Sequence, residues 1–220
     1  MTKSDLRTRL RQLLPPLAIG IITILGVNYL LSQRLSAALT DGMLAREGEV
    51  RQEFLSSILA AEHGEGALFT QPGPSPALVS FSEHVRGLPG LVRANIYSPD
   101  GFIRYSTDAN LIGVQFADNT ELAEAFDGKI ISGLETKTAS DKSEHLALSQ
   151  ISGEKLIEAY IPVAGADGKI VTVVEFYRKD AWIASTVSDV GRSFLLSSLL
   201  GIAVLGLASL GFLKMPRRNP

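Results

Sequence analysis

Two stretches of this chain carry no charge: Gln12 to Gln33, 22 residues, and Ser193 to Leu213, 21 residues. At about 1.5 Å per residue each reaches roughly 30 Å as a helix, the thickness of the hydrocarbon layer of a bilayer, and buried helices of soluble domains seldom stay uncharged for so long. Residues 13–33 and 193–213 are therefore expected to be transmembrane helices. Beyond the first of them the pattern turns amphipathic. From Ser32 to about His63 there is no proline, and Leu35, Leu39, Met43, Val50, Phe54, Ile58 and Leu59 recur mostly at three- and four-residue spacings. This predicts a long helix that continues the first apolar segment outward as a stalk, with Arg46, Glu47, Arg51 and Glu53 on its polar face, a weak point near Gly42 and a stop at Gly64.

Gly64 to Ser75 holds three Gly and two Pro and reads as a loop, and Pro76 to Gly87 as a shorter helix. After Pro89-Gly90 the period changes to two. Leu91 to Ser98 is expected to be a strand, Pro99-Asp100-Gly101 a tight turn, and Phe102 to Thr107 the returning strand of a hairpin. Asn119 to Phe126 reads as a short helix with an Asn cap, followed by strands Lys129 to Lys137, Lys155 to Val163 and Lys169 to Arg178, the last two joined through Ala166-Asp167-Gly168. Asp180 to Gly191 leads as a helix into the second apolar segment. The order predicts an α+β domain, a five-stranded antiparallel sheet with helices against it, between two membrane helices.

Charge sets the expected orientation. Lys3, Arg7, Arg9 and Arg11 against Asp5 give +3 before the first apolar segment, and Lys214, Arg217 and Arg218 give +3 after the second. The stretch between Arg34 and Arg192 has 14 Lys and Arg against 22 Asp and Glu. The positive-inside rule places both termini in the cytoplasm and residues 34–192 outside, in a two-pass membrane protein with residues 1–12 and 214–220 as cytoplasmic ends. A cleaved signal peptide is the competing reading of the first segment, since Ser36-Ala37-Ala38 offers small residues at a cleavage site. The apolar run Leu13 to Leu31 is 19 residues long, however, and a signal core is usually about 7 to 15. Pro15 and Pro16 fall in the first turn or so of that segment, where a missing amide hydrogen does least harm. The 220 residues include no cysteine, so burial alone must hold the outer domain together, and its acidic balance argues against nucleic acid as a partner.

The stretch Val92 to Arg178 resembles the Cache, or PDC-like, extracytoplasmic sensor domains of bacterial membrane receptors, which have a PAS-like fold. The residues that carry the likeness are Ile96-Tyr97-Ser98-Pro99-Asp100-Gly101, then Arg104-Tyr105-Ser106-Thr107-Asp108 with Leu111-Ile112-Gly113, then Glu158-Ala159-Tyr160-Ile161-Pro162-Val163 with Asp167-Gly168-Lys169 and Glu175-Phe176-Tyr177. The size fits a single-unit Cache domain. In the citrate and dicarboxylate sensors of this broad class an Arg-Tyr-Ser-His run contributes an Arg and a His to the ligand carboxylates. The resemblance thus implies Arg104 as an anion-binding donor, with Thr107 in the His position and Glu158 where those sensors have a second Arg. Together they imply a polar or zwitterionic ligand rather than a di- or tricarboxylate, held by Tyr97, Arg104, Ser106, Thr107, Glu158 and Tyr160.

Strand alternation alone puts Arg104 and Ser106 on one face of their strand and Glu158 and Tyr160 on one face of theirs. A surface ion pair between Arg104 and Glu158 is the bland alternative, and core packing the bland alternative for Tyr97 and Tyr177. Each of the three histidines follows a glutamate, at Glu62-His63, Glu83-His84 and Glu144-His145, but adjacent residues diverge on a helix or strand, so neither a metal site nor a cofactor is expected. There is no Gly-x-Ser-x-Gly elbow, phosphate loop or catalytic cysteine, and an enzyme is not expected.

The expectation is a sensor that relays ligand binding through its membrane helices. Only Lys214 to Pro220 follow the second of them, so the expected receiver is a separate signalling protein, with the chain acting as the sensing subunit of a complex or as a homodimer, the third alternative being a truncated receptor. Ser197 and Gly201 form a small-x-x-x-small pair suited to close helix approach. The alternative is a membrane-anchored structural or assembly protein whose outer domain binds another protein.

Overall fold

The computed structural model describes residues 3–62, 75–116, 118–136, 155–179 and 181–214. Helix α1 (Lys3–Ala61) is followed by α2 (Pro76–Arg86), β1 (Leu91–Tyr97), β2 (Ile103–Ser106), a short 3-10 turn (Ala109–Leu111), α3 (Thr120–Phe126), β3 (Ile131–Thr136), β4 (Lys155–Ala164), β5 (Ile170–Lys179) and α4 (Ala181–Lys214). The chain divides into two compact units, residues 1–40 with 182–220, and residues 41–181.

In the first unit the opening part of α1 lies antiparallel to α4. Gly20 faces Leu205, Gly201 faces Ile24, Ser197 Oγ donates to Asn28 Oδ1 at 3.0 Å, and Arg9 Nη1 donates to the Leu213 carbonyl at 3.3 Å. A Cβ at Gly20 would come within 2.7 Å of Leu205 Cδ2, so the small residue sets the approach. The small pair Ser197 and Gly201 thus meets α1 of the same chain. The most apolar windows of the two helices have mean hydropathies of 1.9 and 2.1 and are 0% and 6% buried, and both helices are long and apolar enough to cross a membrane. Helix α1 starts well before its two prolines, so Pro15 and Pro16 stand inside it and not in its first turn.

The second unit is α+β, with a five-stranded antiparallel sheet of order β2-β1-β5-β4-β3. The turns form where glycine permits them, Gly101 and Gly168 both at φ 80°. Ser75 caps α2, accepting from Leu78 N at 3.1 Å with Pro76 in the first helical position, and Asn119 caps α3, accepting from Leu122 N at 2.9 Å. One face of the sheet buries Ala94, Ile96, Ala159, Ile161, Val174 and Phe176 against Leu55, Ile58 and Leu59 of α1 and Leu78, Phe81 and Val85 of α2. On the other face Tyr97, Ile103, Tyr160 and Val173 pack against Leu122 and Ala125 of α3.

The buried stripe of α1 differs from the expected one. Leu44 and Leu55 are buried, whereas Val50 and Phe54 are 50% and 42% exposed. Residues 44 and 55 are eleven apart, three helical turns, and this row faces the sheet. Gly48 lies on the same row, where a Cβ would come within 2.5 Å of Ile130 Cγ2. Glu47 and Arg51, expected on the solvent side, turn toward the sheet instead. Arg51 Nη2 lies 2.6 Å from Glu47 Oε1, Glu47 also pairs with Arg178 of β5, and Arg51 stacks 5.4 Å from the Phe176 ring centroid. The partner cation on β5 is what lets a carboxylate sit there. No break occurs at Gly42. The expected stop at Gly64 and most of the loop from Gly64 to Ser75 lie outside the described residues.

Candidate functional site

The registers of β1, β5 and β4 align polar side chains in two rows across the sheet face that carries α3. In one row Ser106 stands opposite Asn95, Asn95 opposite Glu175, and Glu175 opposite Tyr160. In the next, Arg93 stands opposite Tyr177 and Tyr177 opposite Glu158. Between them on each strand come the apolar residues of the other face, so the same alternation that builds the helix-covered core collects these polar groups on the opposite side.

The rows form one hydrogen-bonded network. Asn95 Nδ2 donates to Glu175 Oε2 at 2.5 Å and the Tyr97 hydroxyl to the same oxygen at 2.8 Å. Ser106 Oγ donates to Asn95 Oδ1 at 2.7 Å. The Tyr177 hydroxyl lies 2.6 Å from Glu158 Oε1 and is also hydrogen-bonded to Glu175 Oε1. Tyr160 donates to Glu158 Oε1 at 3.1 Å and accepts from Asn119 Nδ2 at 3.0 Å. The Arg93 guanidinium carbon sits 4.4 Å from the centre of the Tyr177 ring and brings the positive charge. None of Arg93, Asn95, Tyr97, Ser106, Glu158, Tyr160, Glu175 and Tyr177 is more than 5% exposed. Burial pushes the Glu175 carboxyl above the ordinary carboxylate range. The Tyr177 hydrogen bond opposes this, the nearby Glu158 carboxylate adds to it, and Asn95 and Arg93 again oppose it. Burial, with both glutamates and Tyr160 nearby, pushes the Tyr177 hydroxyl far up, so it stays protonated.

Of the six residues singled out in the sequence, Tyr97, Ser106, Glu158 and Tyr160 come together in this network. Thr107 is exposed at the edge of the hairpin, its Oγ1 accepting from Ala94 N at 3.1 Å. Arg104 is elsewhere. Simple alternation would keep it on the face of Ser106, but a register shift between Ile96 and Tyr97 sets Ile103 opposite Tyr97 and leaves Arg104 as the extra residue of a bulge. Its Nε donates to Ser98 Oγ at 2.9 Å and its Nη2 pairs with Asp100 at 2.9 Å, so neither Glu158 nor any other network residue is its partner in this hairpin contact. The Asp100 carboxyl is held below its ordinary range by the Ser98 hydrogen bond, with Arg104 a lesser cause.

Arg93, Asn95 and Glu175 join the site from outside the sequence selection. Their signal was present: Glu175 stands alone among Val173, Val174, Phe176 and Tyr177, and a single carboxylate in an otherwise apolar strand is buried only with partners. Among the described residues no three His, Asp or Glu side chains are grouped to hold a metal ion. His84 is exposed, its Nδ1 2.9 Å from the Ser80 carbonyl, and His63 and His145 lie outside the described residues.

No family model matches the sequence, and no curated protein matches it. Among solved structures the chain is similar to an extracellular ligand binding receptor from Desulfohalobium retbaense DSM5692, at 14% identity and a TM-score of 0.39, over 74% of this chain and 26% of that one. The chain therefore spans about a quarter of that receptor's length. At such a score the functional reading is left to the chain's own geometry.

Proposed function

We propose that the chain is a two-pass membrane sensor whose outer domain binds a small polar ligand on the sheet face of Arg93, Glu158 and Glu175 and relays the event through α1 and α4 to a partner. One observation carries this reading: two carboxylates, a guanidinium, an amide and three tyrosine hydroxyls from three adjacent strands converge on one buried network. Fold stability alone favours valine and isoleucine at such positions, because each buried polar group costs free energy unless fully partnered. A site that keeps both signs of charge suits a ligand with both, the zwitterionic class that the Cache-like resemblance also implies, with Arg93 in the cationic role first given to Arg104. The reading is of binding, not catalysis.

The test is thermal melting of the full-length protein in detergent against amino acids, organic acids, amines and purines. A ligand of the folded state present at about 100 times its dissociation constant adds roughly 2.7 kcal/mol. A shift that Tyr160→Phe weakens and Arg104→Ala leaves intact supports the sensor. A shift that Tyr160→Phe leaves unchanged removes the ligand from this face, and capture of a defined protein partner with no small-molecule shift favours the membrane-anchored assembly protein.

A further inference from the structure

The network is one proton short of what its contacts at Tyr177 require. Tyr177 has one hydroxyl proton, yet its oxygen is hydrogen-bonded to Glu158 Oε1 and to Glu175 Oε1. With both carboxylates ionised, one of those two contacts would bring bare oxygens together, without a hydrogen between them. Glu175 Oε2 already accepts from Asn95 and from Tyr97, so a proton on Glu175 belongs on Oε1, donated to Tyr177, whose own proton then goes to Glu158. Charge agrees with this. Arg93 and Glu158 are the charged groups that face Glu175 from β1 and β4 among the described residues, and one guanidinium balances one carboxylate. The other groups around it are neutral: Asn95 and Tyr97 from β1, Tyr160 from β4, Tyr177 beside it on β5, with Ser106 and Asn119 behind Asn95 and Tyr160.

We infer that the site holds one dissociable proton on Glu175, hydrogen-bonded through Tyr177 to ionised Glu158, and that the outer domain responds to pH through its release. The raised affinity of Glu175 for its proton fits this, and Tyr177 holds its own proton too firmly to be the group that titrates. Loss of the proton leaves two negative carboxylates on one tyrosine oxygen, with a single hydrogen between them, across the β4 and β5 pairing. Use of that change as a signal rests on the sensor reading above; the proton itself does not.

Because the folded state holds this proton more tightly than the unfolded chain, stability is full below the ordinary glutamate range and is lost as pH rises through the elevated folded value. Glu175→Gln copies the neutral acid, with an amide that can donate to Tyr177 and a carbonyl that accepts from Asn95 and Tyr97. The experiment uses the full chain in lipid nanodiscs with carboxyl-labelled glutamate. The infrared spectrum of the wild type above the ordinary glutamate range is expected to show a protonated carboxyl band that disappears as the pH is raised further and is missing from Glu175→Gln, while in Glu158→Gln, where Glu175 is the one carboxylate left for Arg93 to balance, the band disappears at a lower pH than in the wild type. Melting of the wild type is expected to fall as the pH rises above the ordinary glutamate range, and to stay level for Glu175→Gln. Absence of the band from the wild type, which needs no variant to fold, overturns the proposal, as does an equal pH slope in wild type and Glu175→Gln. A titrating band with a silent ligand panel keeps the proton and sinks the small-molecule reading; a ligand shift without the band does the reverse.

Discussion

Asn119 divides its amide between a helix and the site: Oδ1 accepts from Leu122 N at the start of α3, and Nδ2 donates to the Tyr160 hydroxyl at 3.0 Å. The two tasks separate by substitution. Asn119→Ala loses both and is expected to cost about 1 to 2 kcal/mol, whereas Asn119→Asp retains the cap and loses only the donor to Tyr160. Melting temperatures should therefore run wild type, Asp, Ala from highest to lowest. Equal losses for the two variants would mean that the cap contributes nothing.

Arg104 belongs to the β1–β2 turn. Its pair with Asp100, which is 53% exposed, is of the kind that contributes less than about 1 kcal/mol, and Arg104→Ala should change stability by no more than that and leave ligand shifts intact. Loss of a ligand shift in this variant would return the binding site to the hairpin.

Glu47 joins α1 to the central strand through Arg178 and holds Arg51 as well. Removing it leaves two mostly buried guanidinium groups without their shared anion. Breaking a buried pair costs about 3 to 5 kcal/mol, and because the Glu47 side chain is 21% exposed we expect Glu47→Ala to lose nearer 2 to 3 kcal/mol. Denaturant melts of Glu47→Ala, Arg178→Met and the double variant should be strongly non-additive; additive losses would show that the pair does not act as a unit.

The two apolar helices can be locked together by design, since the chain has no native cysteine to interfere. Asn28→Cys with Ser197→Cys replaces a 3.0 Å side-chain contact and should oxidise to a disulfide within one chain, running as a monomer on a denaturing gel. A cross-link formed only between chains would reassign the contact to a dimer.

Membrane orientation is a separate matter. Single cysteines introduced at positions 120 and 218 should react with an impermeant thiol reagent from the outside and only after permeabilisation, respectively. The reverse pattern would invert the topology proposed here.

The elements of this protein follow from its sequence because their causes are local. Uncharged runs of 22 and 21 residues set the two apolar helices, period-two alternation set the strands to within a residue or two at most ends, and Gly101, Gly168, Ser75 and Asn119 placed turns and caps where short-range sterics and hydrogen bonding demand them. Tertiary structure decided which residues meet. Asn95 and Glu175 are 80 positions apart and face each other only because β1 pairs with β5, a choice of neighbour and register that no periodicity contains. A one-residue bulge moved Arg104 off the face that alternation assigned to it. The buried row of α1 likewise depended on β5, whose Arg178 made a carboxylate acceptable where a helical wheel reads solvent. Local patterns determine what each segment becomes, and the cost of burying charge determines which segments must come together.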